Sequence, residues 1–209
     1  MKNKLTIATL ILGVLLTGCY PGGPEYTEEL DVALTNFKDD YDFQAQTTYA
    51  MPDRIVKITG NITEGDEPEF IPDISANAIL DMIESNMSDL GWQRVGIDEN
   101  PDMLLAPAAW ETTTVFWWYD YWGWWWGGYY PGWGCCYWPG YYPPVYVSSY
   151  TTGTLVMTLI DPDTESATGT PISQWTGAIS GLLTGTYNAD RIERAIDQVF
   201  AQSPYLKTN

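Results

Sequence analysis

The chain reads as an α+β domain: a mainly antiparallel sheet, two amphipathic helices on one of its faces, and a long aromatic, Gly-rich hairpin loop. Three observations predict it. Strand-like runs follow one another without helices between them, which disfavours a parallel α/β fold. Two segments carry apolar residues at helical spacing. Residues 116–146 obey neither period and stand between two strong strands, where a hairpin loop belongs.

Each element has its own signal. Leu30, Val32 and Leu34 alternate with Asp31, Ala33 and Thr35, which predicts a first strand. Lys38 to Asp42 is a polar turn. Phe43 to Met51 reads as a second strand, ended by Pro52. Ile55 to Pro72 is a mixed excursion with a short strand at Ile55 to Ile58. A helix follows, with Ser75 as N-cap, Asp73 adding negative charge near its start, and Gly91 as its stop. Its apolar face is Ile79, Leu80, Ile83, Met87 and Leu90. Trp92 to Val95 is a strand, Asn100-Pro101-Asp102 a turn, and Met103 to Phe116 a longer β segment interrupted at Pro107. Tyr146 to Asp161 is a β-branched, apolar strand. Asp161 to Glu165 reads as the turn after it, and Ile172 to Leu183 as the returning strand. The last helix starts near Asn188, carries Ile192, Ala195, Ile196, Val199 and Phe200 on one stripe, and stops at Ser203-Pro204.

The first nineteen residues address the chain. Lys2 and Lys4 precede an apolar run from Leu5 to Leu16, and Leu16-Thr17-Gly18-Cys19 follows. A charged start, a short apolar core and small residues before a cut site make a secretory signal. A run of about twelve apolar residues is too short for a bilayer, which needs roughly twenty. The box resembles a bacterial lipoprotein signal. That resemblance implies cleavage after residue 18 and acylation of Cys19 by chains such as palmitate. Tyr20, rather than Asp, after the acylated residue implies the outer membrane of a Gram-negative envelope. Acyl chains contribute about 0.8 kcal/mol per buried methylene, so several together make a firm anchor. Tyr20 to Glu29, rich in Pro, Gly and Glu, is the tether, and residues 30–209 form one domain.

Composition narrows the chemistry. The 209 residues hold 27 acidic and 9 basic side chains, a net charge of −18. Such a chain repels phosphate backbones, which argues against a nucleic-acid partner. It has no His, so the commonest zinc ligand and the neutral-pH proton shuttle are both missing. Beyond Cys19 the thiols are Cys135 and Cys136, adjacent in sequence. Neighbouring cysteines bridge only through a strained ring, and two are too few for a closed zinc site. There is no phosphate loop, dinucleotide fingerprint or Gly-x-Ser-x-Gly elbow, so no cofactor is expected.

Residues 116–146 hold eight of the eleven Trp and eight of the fifteen Tyr, interleaved with six Gly and four Pro, and carry Asp120 as their one charge. The Gly and Pro density opposes a helix, transmembrane or otherwise. The aromatics can fold back as a local cluster, enter a headgroup layer, which Trp and Tyr favour, or stack on a glycan or protein partner. Trp117, Trp118, Trp122, Trp124, Trp125 and Trp126 are the candidate contact residues. Glu111, just before the region, and Asp120, within it, are a candidate carboxylate pair of the kind glycosidases need, at a separation the sequence does not fix. Asp161, Asp163 and Glu165 alternate like calcium ligands, but fit a turn more simply, as do Asp39, Asp40 and Asp42.

Four motifs carry a family resemblance. Phe43-Gln44-Ala45-Gln46-Thr47-Thr48-Tyr49-Ala50 is similar to a "F…TYAW" segment, with Met51 in place of the Trp. Asn100-Pro101-Asp102-Met103-Leu104-Leu105 looks like "NPDLLV". Tyr150-Thr151-Thr152-Gly153-Thr154-Leu155-Val156 looks like "Y-x-x-GTLVIDL", and Trp175-Thr176-Gly177 to Gly181 like "W-x-G-x-x-x-G". In this order, with a Gly/Tyr/Trp-rich insert, the chain resembles the bacterial lipoproteins carrying domain of unknown function 4136, over roughly Leu30 to Phe200. The stretch Ile55 to Pro72 is longer than is usual there. The resemblance implies an envelope lipoprotein with a small α+β domain and supplies no catalytic residues. The expectation is a non-enzymatic, outer-membrane-anchored lipoprotein whose aromatic loop contacts an envelope partner, a glycan or the membrane surface. The alternatives are an envelope enzyme using Glu111 and Asp120, or a purely structural component.

Overall fold

A computed structural model describes residues 32–59, 69–111, 153–165, 171–184 and 188–209. All belong to one compact unit, Asp31–Asn209. The strands are β1 (Val32–Phe37), β2 (Thr48–Ala50), β3 (Val56–Ile58), β4 (Gln93–Arg94), β5 (Met103–Trp110), β6 (Thr154–Glu165) and β7 (Pro171–Ser180); the helices are α1 (Asp73–Asp89) and α2 (Ala189–Ala201). The described strands form one sheet in the order β1-β7-β6-β5-β2-β4, with β3 also on β5. β1, β7, β6 and β5 pair antiparallel, whereas β2 and β3 lie parallel to β5 and β4 parallel to β2. The fold is α+β with a mostly antiparallel sheet, as the sequence predicts.

β5 is the central strand, and all eight of its residues are buried. Burial on both faces explains why Met103 to Trp110 is a continuous apolar run rather than an alternation. Pro107 does not interrupt it. Glu111 N–H donates to Ile58 O on the β3 side (2.9 Å), so alternate residues back along β5, including Pro107, turn their nitrogens to the same edge. β2 ends its pairing at Leu104 and β3 begins at Ala108. The missing N–H of Pro107 therefore falls in the gap between β2 and β3, where no ladder bond is lost.

Both helices pack on one face of the sheet. Ile79, Ile83 and Met87 of α1 and Ile192, Ile196 and Val199 of α2 meet Met103, Leu105, Leu155, Met157 and Trp175. Each such side chain taken from water contributes roughly 1.5–3 kcal/mol. α2 starts where expected, with Asn188 Oδ1 accepting from Arg191 N–H (3.0 Å). α1 starts earlier than expected. Its N-cap is Pro72, and Ser75 lies inside the first turn. Pro72 O already accepts from Ala76 N–H (2.9 Å), and a Pro at a helix entrance loses no intrahelical donor.

The turn read at Asp161 to Glu165 is corrected as well. β6 continues to Glu165, and its ladder with β7 passes from Asp161↔Ile172 to Glu165↔Pro171, so β6 bulges by three residues. The turn chemistry is present but local. Asp161 Oδ1 accepts from Asp163 N–H (2.8 Å) and Oδ2 from Thr164 Oγ1 (2.9 Å), which folds the strand onto itself instead of reversing it.

Candidate functional site

Most of the predicted site lies outside the described residues: Cys19, Trp117, Trp118, Asp120, Trp122, Trp124, Trp125, Trp126, Cys135 and Cys136. The structure does describe the two ends from which the aromatic segment springs. Its entry, Glu111, is held by the backbone bond to Ile58 O. Its exit, Gly153, donates N–H to Trp110 O (2.7 Å), and Gly153 O accepts from Leu183 N–H (2.8 Å). Gly153 has φ +80°, and a Cβ there would stand 2.5 Å from Thr184 Cγ2. Only Gly suits this crowded, left-handed corner.

A cavity of about 660 Å³ opens between these two ends. Phe70, Ile71, Trp110, Leu182, Leu183 and Ile192 make its walls largely apolar, and Lys57 and Glu111 bring charge to it. Lys57 Nζ is 2.9 Å from Glu111 and 3.9 Å from Glu69. Arg54 caps the ring of Phe70 at 3.6 Å, a cation–π contact. Sequence reasoning flagged Glu111 but missed Lys57, its partner. The signal was the polar Lys in an otherwise apolar β3, Val56-Lys57-Ile58. Arg191, also missed, is buried, and its guanidinium donates to Gly181 O (3.0 Å) and to the carbonyl of the cavity-lining Thr184 (3.3 Å). It ties the loop after β7 to α2.

Of the two acidic runs, Asp42 and Asp161 accept internal hydrogen bonds. Asp161 Oδ2 accepts from the Tyr41 hydroxyl at 2.9 Å. Met103 Sδ is equally near that hydroxyl, but a hydroxyl has one proton and the carboxylate is the stronger acceptor. Burial, then this bond and the charge of Asp161, raise the Tyr41 pKa well above the usual tyrosine range. Among the described residues no group of three or more Asp, Glu or Cys is placed to hold a metal ion. No described helix is long and apolar enough to cross a membrane.

The motif residues prove to be architectural. Asp102 clamps Thr47 and Thr48, which seats β2 on β5. Trp175 Nε1 donates to Ser203 Oγ (2.9 Å), and Ser203 Oγ donates to Val199 O (3.1 Å), so the Trp-x-Gly motif of β7 is bonded to the end of α2. Gly177 lets that helix approach: a Cβ there would be 2.5 Å from Val199 Cγ1 and 2.8 Å from the Trp175 ring.

The sequence profile of a domain of unknown function, DUF4136, matches residues 33–205. None of the curated proteins matches the sequence. Among solved structures, a DUF4136 family protein from Bacteroides thetaiotaomicron superposes with TM-score 0.58 at 25% identity, over 85% of this chain and 97% of its own. A PelC dodecamer subunit from Paraburkholderia phytofirmans gives TM-score 0.39 at 9% identity, over 86% and 99%. A PDZ domain protein from Parabacteroides distasonis gives 0.37 at 15%, over 83% of this chain and 35% of that one. The match over most of its length makes this chain a member of the DUF4136 family.

Proposed function

We propose that the protein is a non-enzymatic outer-membrane lipoprotein, anchored through acylated Cys19, whose domain is a scaffold for an aromatic contact segment. Trp117, Trp118, Trp122, Trp124, Trp125 and Trp126 carry the contact with an envelope partner, a glycan or the membrane surface. One observation carries the reading: both ends of the segment are pinned to the sheet, Glu111 to Ile58 on β3 and Gly153 to Trp110 on β5. A segment with eight Trp and one charge thus begins and ends beside an apolar cavity at the end of the buried strand β5. The motif residues serve packing, and Glu111, one of the two candidate carboxylates, is ion-paired to Lys57.

The test is Trp fluorescence of the soluble Cys19→Ala domain, titrated separately with anionic lipid vesicles and with a panel of envelope glycans. A blue shift with vesicles assigns the segment to the membrane surface, and a saturable change with one glycan assigns it a ligand. Retention of either response after residues 118–142 are replaced by a short Gly-Ser linker would remove the segment from the contact. The anchor is tested in cells: acylation and detergent partitioning should both vanish in Cys19→Ala.

A further inference from the structure

The strand registers bring the cavity and the chain's point of entry to one end of the sheet. β3 and β5 end there and β6 begins there, at the paired residues Ile58, Trp110 and Thr154. β7 ends there and β1 begins there, because Val32 stands opposite Ser180. The first turns of both helices reach the same place: Ser75 of α1 and Ile192 of α2 line the cavity together with Trp110.

The cavity's size, about 660 Å³, falls in the usual range for small-molecule sites. Its backbone polar groups are engaged within the protein. Gly153 bonds Trp110 O and Leu183 N–H, Ile71 N–H donates to Ile55 O, and Thr184 Oγ1 donates to Gly181 O. What the walls present is hydrocarbon, from Phe70, Ile71, Leu182, Leu183 and Ile192. A polar ligand would lose its water there without comparable return. The charged side is Lys57, set between Glu111 at 2.9 Å and Glu69 at 3.9 Å. One positive charge against two negative ones does not attract an anion. Ile74, in sequence between the lining residues Pro72 and Ser75, is 84% exposed and extends the apolar surface outward.

We infer that this cavity binds a single acyl chain, one joined to a head without net negative charge. The point of attachment selects this occupant from other apolar molecules. Val32 enters the sheet beside Ser180, two residues before Leu182 in the cavity wall. Cys19 lies thirteen residues before Val32, which is at most about 45 Å of extended chain. A chain acylated at Cys19 therefore keeps the cavity within reach of two sources of the same chemistry, its own acyl groups and those of the bilayer lipids. The supply of acyl chains rests on the anchored reading proposed above; the apolar lining does not.

The experiment uses phosphatidylcholine vesicles doped with a phosphatidylcholine that carries a diazirine on one acyl chain. The full mature chain, as Cys19→Ala, is irradiated with them and the adducts are mapped by mass spectrometry. Adducts on Phe70, Ile71, Leu182, Leu183 or Ile192 are expected. Ser75→Trp, which narrows the cavity from the first turn of α1, should lower these adducts by about 10-fold, with the urea midpoint checking that the variant is folded. A diazirine fatty acid with a free carboxylate should label the same residues more weakly. Labelling of the acylated parent reduced relative to Cys19→Ala would identify the chain's own anchor as occupant, and equal labelling would identify a bilayer lipid. Adducts confined to residues 112–152 would overturn the inference yet leave the aromatic segment as a membrane contact. Adducts elsewhere, none at all, or full labelling of a folded Ser75→Trp would overturn it as well. A silent Trp titration beside adducts in the cavity would instead remove the role of the aromatic segment and keep the acyl site.

Discussion

Asp102 and Thr48 bond one another in both directions. Thr48 N–H donates to Asp102 Oδ2 (2.8 Å), and Asp102 N–H donates to Thr48 Oγ1 (3.0 Å). Thr47 adds its own N–H to the same carboxylate oxygen (2.8 Å). Partial burial alone would raise this carboxyl's pKa, but the bonds from Thr47 and Thr48 outweigh it and hold the pKa below the usual range. A depressed pKa means that the folded state binds the proton less well than the unfolded chain. Its contribution is therefore complete above the ordinary carboxylate range and is lost as pH falls through the folded-state value. Asp102→Ala should cost about 1–3 kcal/mol near neutral pH. It should also flatten the acid limb of stability against pH, measured by urea unfolding.

The Trp175–Ser203 bond makes a sharper prediction. Ser203→Ala leaves a buried indole N–H without its acceptor, which costs about 1–3 kcal/mol. Gly177→Ala should cost a similar amount by forcing α2 away from β7. Because the Val199 methyl is the nearest obstacle, Val199→Ala should cost less in the Gly177→Ala background than alone. A double-mutant cycle in thermal or urea unfolding reads this coupling, and strict additivity would refute the contact.

The parts legible in the sequence are those set by local chemistry. The Ile192-Ile196-Val199 stripe, the Asn188 cap and the Ser203-Pro204 stop all describe α2 as it is. What was not legible depends on partners distant in sequence. Ser75 is a good cap by type, yet Pro72 O already opens the ladder. Asp161 has the composition of a turn, yet Tyr41, 120 residues away, and the β7 ladder keep it in the strand. The parallel seating of β2 and β3 on β5 rests on Asp102 reaching Thr47 across 55 residues. Of the candidate site, composition alone sets the aromatic segment 116–146 apart, and that segment lies outside the described residues. The Lys57 partner of Glu111 was not legible, because nothing in sequence relates the two.

Glu111→Gln separates scaffold from enzyme. Its ion pair with Lys57 is partly exposed on both sides, and such pairs contribute at most about 1 kcal/mol. The variant should therefore unfold within ~1 kcal/mol of the parent and keep the fluorescence response of the aromatic segment. Any turnover of envelope glycan by the parent that this variant lacks would instead favour the carboxylate enzyme.

The last prediction concerns alkaline pH. Tyr49 is 1% exposed, and its hydroxyl has no hydrogen-bond partner among the described residues. Burial raises its pKa above the usual tyrosine value, helped by Glu84 and opposed by Arg94; Tyr41 is raised as well. A raised pKa means that the folded state holds the proton more tightly than the unfolded chain. The stability tied to these phenols is intact below the unfolded value of about 10 and falls as pH rises beyond it. The two differ at neutral pH. Tyr49→Phe removes an unsatisfied buried hydroxyl and should be neutral, or stabilising by up to about 1 kcal/mol. Tyr41→Phe removes the bond to Asp161 and should destabilise by about 1–2 kcal/mol. Both should flatten the decline between about pH 10 and 12. Urea midpoints across that range, taken for each variant and for the pair, provide the measurement. A decline unchanged in the double variant would place the alkaline titration elsewhere in the chain.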